Sequence, residues 1–152
     1  MPLPKDWRAF IESLNSSEVE YLIVGAVALA HHGFPRLTGD LDILVHNTPE
    51  NAQRLERVLH SFGFGELGLR ADDFVGAYQV IQLGVAPNRI DLLTSITGVS
   101  FDEAWRGRSV AELDGVTVSF IGRQELIRNK RATGRAQDLA DVALLEDTLA
   151  GK

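Results

Sequence analysis

Asp40 and Asp42 stand two residues apart in a run that otherwise reads Leu41, Ile43, Leu44 and Val45. A stretch this apolar belongs in a core, and the two-residue side-chain period of a strand sends both carboxylates to one face. Acids held so close raise each other's pKa unless a cation is near. A hard divalent cation answers that need, because Mg²⁺ binds oxygen and usually takes one or two carboxylates together with substrate phosphates. Asp91, set in Arg89-Ile90-Asp91-Leu92-Leu93, is an acid inside a second apolar run and the candidate for a third carboxylate from a neighbouring strand.

The remaining pattern alternates strands and helices. Residues 5–14 place Trp7, Phe10, Ile11 and Leu14 at helical spacing, and Asn15-Ser16-Ser17 ends that helix. Residues 21–24 read as a strand that stops at Gly25, followed by the short helix AVALAHH up to Gly33. Residues 34–39, bracketed by Pro35 and Gly39, read as a loop, and 41–45 as the Asp-x-Asp strand. Pro49, after Asn47 and Thr48 as caps, opens a helix with Leu55, Val58, Leu59 and Phe62 on one face. Residues 78–83 and 89–94 predict an antiparallel pair joined by a turn over 84–88 that contains Pro87 and Asn88. Residues 101–105 predict a short helix, and Asp114-Gly115 predicts a hairpin between 110–113 and 116–121. Two helices, over 124–131 and 136–149, close the chain.

Composition narrows the chemistry. A chain of 152 residues with 45% hydrophobic and 24% charged content suits one domain over 1–152. No apolar run reaches the roughly 18 residues of a membrane span, and the N-terminus lacks the pattern of a secretory signal, so the expectation is a cytoplasmic protein. The absence of cysteine leaves only oxygen and imidazole as metal ligands. A formal net charge of -6 argues against a broad nucleic-acid surface, which needs clustered Lys and Arg.

The segment VGAVALAHHGFPRLTGDLDILV resembles the signature of the minimal nucleotidyltransferases of the polymerase-β superfamily, in which a Gly-Gly or Gly-Ser turn precedes an Asp-x-Asp strand. RIDLLT resembles that family's third-carboxylate strand, and LIRNKRATGRAQDLADVALLE the C-terminal helices of the bacterial abortive-infection and antitoxin-type branch. The likeness runs from residue 21 to residue 146. It implies an α/β (α+β) nucleotidyltransferase fold, a mixed sheet flanked by helices with further helices at the C-terminus. It also implies Mg²⁺ or Mn²⁺ on Asp40, Asp42 and Asp91, with Asp91 helping to deprotonate an acceptor hydroxyl. Gly25 and Ala26 take the place of the phosphate-side turn, where backbone NH groups meet the triphosphate of a nucleoside triphosphate such as ATP. Ala26 departs from the family's Gly or Ser, which removes any hydroxyl contact to phosphate. Lys130 resembles the lysine that the family directs at the triphosphate.

Arg36 and Thr38, in the loop before the Asp-x-Asp strand, are candidates to reach phosphate oxygens. His31 and His32 end the short helix and read as a cap there. Three functions are compatible with these residues: nucleotidyl transfer to a small-molecule, protein or RNA acceptor, a catalytically weak antitoxin-type module that pairs with a toxin protein, or a metal-free protein with acidic strands.

Overall fold

A computed structural model describes residues 3–36, 38–85 and 88–150, so Leu37 and Pro87 of the two loops above lie outside the described residues. Helix α1 (Lys5–Ser16) buries the four apolar side chains that its spacing aligns. Strand β1 (Tyr21–Val24) is buried throughout and passes directly into helix α2 (Gly25–His31). Strand β2 (Asp40–Val45) follows, then helix α3 (Pro49–Ser61), whose Thr48 cap accepts a hydrogen bond from Asn51 N at 3.3 Å. Strands β3 (Val80–Leu83) and β4 (Arg89–Leu93) form the antiparallel pair. Helix α4 (Phe101–Arg106) precedes the hairpin of β5 (Ser109–Leu113) and β6 (Val116–Phe120). Asp114 and Gly115 turn that hairpin with φ of +54° and +81°, as a two-residue turn between right-twisted strands requires. Helices α5 (Arg123–Thr133) and α6 (Ala136–Ala150) pack against each other.

The six strands form one mixed sheet in the order β3-β4-β2-β1-β6-β5. Strand β2 runs antiparallel to β1 and parallel to β4. The central strands carry Leu22, Ile23, Leu41, Ile43 and Leu92, all fully buried, and the apolar side chains of α1, α2, α3 and α5 join them in one cluster. Among the described residues no helix is long and apolar enough to cross a membrane.

Two features differ from the sequence reading. Tyr78 was expected to begin a strand but has a left-handed backbone, φ +57°, so extended structure starts at Val80. Residues 65–74, for which no element was predicted, form two 3-10 turns (Gly65–Leu67 and Ala71–Phe74), anchored by the buried Phe74 ring and by Ala71 N donating to Glu56 Oε1 at 2.6 Å.

Candidate active site

Strand periodicity and register together build the acidic face. Asp40 and Asp42 share a face of β2, and Arg89 and Asp91 share a face of β4 by the same two-residue period. Parallel pairing sets Asp40 beside Arg89 and Asp42 beside Asp91, so all four side chains meet on one side of the sheet. On its other flank Asp42 pairs with Val24, the last residue before the turn into α2. Gly25 follows with φ +67°, and a Cβ there would stand 2.2 Å from Asp42 Oδ2. Only glycine lets the strand-to-helix turn lie against this carboxylate.

The charges are unevenly compensated. Burial, then the charges of Asp91 and Asp40, push the Asp42 carboxyl up to about 6, and a hydrogen bond with Asp91 adds to the effect while Arg89 opposes it. Arg89 Nη2 lies 3.2 Å from Asp40 Oδ2 and 3.5 Å from Asp91 Oδ2. Its Nε is 3.2 Å from Asp91 Oδ1, yet the alignment is poor and neither atom has a hydrogen-bond partner. One guanidinium thus serves three carboxylates. Asp91, 8% exposed, keeps one acceptor oxygen unsatisfied.

This donor set suits a hard cation. The Asp42–Asp91 pair supplies adjacent carboxylates with a deficit of positive charge, and one or two carboxylates suffice for Mg²⁺ when phosphates complete its shell. Among the described residues no three His, Cys, Asp or Glu side chains converge as a ligand set. Asp40 turns to Arg89 instead.

Beside the pair opens a cleft of about 290 Å³ lined by Gly25, Asp42, Ser95, Thr97, Asn129, Thr133 and Arg135, among others. Asn129 Nδ2 donates to Thr97 O at 2.9 Å, tying α5 to the segment that follows β4. Polar groups therefore face the carboxylates across the cleft. Ala26 sits half-buried in the first turn of α2.

The other residues singled out from sequence have partners within the protein. Thr38 Oγ1 accepts from Asp40 N at 3.2 Å and so fixes the start of β2. Arg36 Nη2 donates to Asp141 Oδ1, and Lys130 Nζ lies 2.9 Å from Asp141 Oδ2 and 3.5 Å from Asp138 Oδ1. His31 stacks on Phe120 with ring centroids 4.0 Å apart, and His32 Nε2 donates to Ile121 O at 2.8 Å. Sequence reasoning missed Arg89 and Asp141. Arg89 was detectable, since it has the same strand parity as Asp91, and Asp141 is an acid among the apolar residues of α6.

No protein-family profile matches the chain, and no curated protein is detectably similar to it in sequence. Solved structures are similar in fold. A provisionally named nucleotidyltransferase of Thermotoga maritima aligns over 100% of this chain and 97% of its own, with a TM-score of 0.58 and 16% identity. An antigenic nucleotidyltransferase-like protein of Paracoccidioides brasiliensis aligns over 95% of this chain and 78% of its own, with a TM-score of 0.55 and 16% identity. The lincosamide antibiotic adenylyltransferase LnuA, in its lincomycin-bound form, aligns over 95% and 97%, with a TM-score of 0.57 and 12% identity. From the mixed sheet, the Gly25 turn against Asp42 and these likenesses together, the chain has the nucleotidyltransferase fold.

Proposed function

We propose that the protein is a metal-dependent nucleotidyltransferase that moves a nucleoside monophosphate from a nucleoside triphosphate to a hydroxyl acceptor. The observation that carries this reading is the side-by-side register of Asp42 and Asp91 next to the Gly25 turn. Asp42 and Asp91 are the residues that would hold Mg²⁺ or Mn²⁺, and Asp40 would join them only on leaving Arg89. When bound, such an ion neutralises charge that develops on the phosphates. Asp91 would help to take the acceptor's proton as the acceptor oxygen attacks the α-phosphorus and pyrophosphate leaves. The NH groups of Gly25 and Ala26 would meet the phosphates, as the first amides of a helix have no acceptor within it. Thr38 contributes by fixing Asp40, and Arg36 and Lys130 reach the triphosphate only on leaving Asp141.

That engagement of Arg36 and Lys130, together with Ala26 in the turn, favours a second reading: a nucleotidyltransferase-like module with weak catalysis that pairs with a toxin-type protein. Incubation with α-labelled ATP or another nucleoside triphosphate, Mg²⁺ or Mn²⁺, and a cell lysate separates the two. The first reading expects label on an acceptor, lost in Asp42→Asn and in Asp91→Asn. Transfer that survives both substitutions refutes it, and no transfer with any nucleotide or metal selects the module.

A further inference from the structure

We infer that Arg89 is the resident counter-ion of the acidic face, competing with a divalent cation for the oxygens of Asp40 and Asp91. The inference rests on the proposed metal-dependent reading and adds a residue to it. The guanidinium Nη2 is positioned between the two carboxylates, 3.2 Å from one and 3.5 Å from the other. An ion coordinating either oxygen at about 2.1 Å sets two positive centres well inside a Debye length, where salt screens them little. Both cannot occupy the gap. The pairing is also built to be left: Arg89 Nε and Asp91 Oδ1 face each other without a hydrogen bond, and the Arg89 side chain is 32% exposed. The contrast with Lys130 is direct, since that cation is buried and hydrogen-bonded to Asp141.

Displacement has a consequence for the order of binding. A bare cation has to expel Arg89 into water, whereas a cation arriving with a nucleoside triphosphate brings phosphate oxygens that receive the freed guanidinium and complete the ion's own shell. Metal and nucleotide therefore bind with positive coupling, and Arg89 supplies part of it. Arg89 is on this account a positioning residue that prevents the acids from holding metal in the absence of nucleotide.

Mn²⁺ titration followed by electron paramagnetic resonance tests the inference without reference to turnover. Wild type, Arg89→Gln and Arg89→Lys are compared with and without a nonhydrolysable ATP analogue, with circular dichroism as the check on folding. Arg89→Gln is expected to bind Mn²⁺ alone about tenfold more tightly than wild type and to gain less from the analogue. Arg89→Lys, which keeps the charge and loses the fork, is expected to tighten Mn²⁺ by a smaller factor and decides the matter if Arg89→Gln does not fold. Mn²⁺ binding that is unchanged or weaker in the folded variant overturns the inference and leaves the catalytic reading intact. If wild type and variant both fail to bind Mn²⁺ even with the analogue, the catalytic reading falls and takes this one with it.

Discussion

Asp42 is half-buried and Asp141 fully buried, yet their surroundings drive their acidities in opposite directions. Burial raises Asp42, and the neighbouring Asp91 and Asp40 raise it further, with Arg89 the opposing charge. Burial also pushes Asp141 upward, but hydrogen bonds from Lys130 and Arg36 outweigh it and hold the carboxyl below its usual range. The Asp141 cluster contains two acids, Asp138 and Asp141, and three cations, Arg36, Lys130 and Arg135, and it ties α5 and α6 to the loop before β2. The Asp42 cluster contains three acids and one cation. One region satisfies its own charges; the other is left short of positive charge beside an open cleft.

The largest expected effect breaks the charge-satisfied member of the comparison. Asp141→Ala leaves Lys130, 9% exposed, and Arg36 without their shared partner, and should cost about 3–5 kcal/mol in urea denaturation. Gly25→Ala comes next. It places a side chain at φ +67° with its Cβ 2.2 Å from Asp42 Oδ2, so the carboxylate has to move, at about 1–3 kcal/mol and with weakened Mn²⁺ binding in a titration.

Asp42→Asn should have the opposite sign. A carboxyl raised to about 6 in the folded protein favours folding only while protonated; that contribution is complete below the unfolded value near ~4 and is lost as pH rises through about 6. The neutral substitution removes the penalty of the ionised form, so the variant should exceed wild type at pH ~8 by about 1 kcal/mol, allowing for solvent screening at the cleft. The difference should shrink to nothing towards pH ~4. The carboxyls of Asp138 and Asp141 are lowered, so their contribution is present above the unfolded value and is lost as pH falls below it. Denaturation curves across pH for wild type, Asp42→Asn and Asp141→Ala sharpen this contrast. Arg135→Ala should matter least, under about 1 kcal/mol, because that side chain is 78% exposed although it pairs with Asp138 at 2.7 Å.

The acidic face was legible in sequence to the extent that strand periodicity decides it. A period of two sets Asp40 with Asp42 and Arg89 with Asp91 wherever both runs are strands. The meeting of the two pairs depends on β2 and β4 lying side by side in one register, and a slip of one residue would send Asp91 to the other side of the sheet. Local composition does not contain that long-range choice; the family resemblance supplied it. The hairpin at Asp114-Gly115 was readable because its turn needs positive φ, and α3 because Thr48 and Pro49 mark its start. Tyr78 misled, since an aromatic beside Val80 and Ile81 has strand propensity while Tyr78 itself is held in a left-handed backbone. Lys130 was assigned to phosphate by the family resemblance, and its bond to Asp141, eleven residues on across a helix-helix corner, is a contact that periodicity does not describe.

On the proposed function, Asp42 and Asp91 together hold a divalent cation with a nucleoside triphosphate. The most direct test is Mn²⁺ binding, by electron paramagnetic resonance, in the presence of a nonhydrolysable ATP analogue, for wild type and for the Asp42→Asn, Asp91→Asn double variant. Saturable binding by wild type that disappears in the folded double variant is the predicted result. Equal binding by the two proteins, or none by wild type, contradicts it.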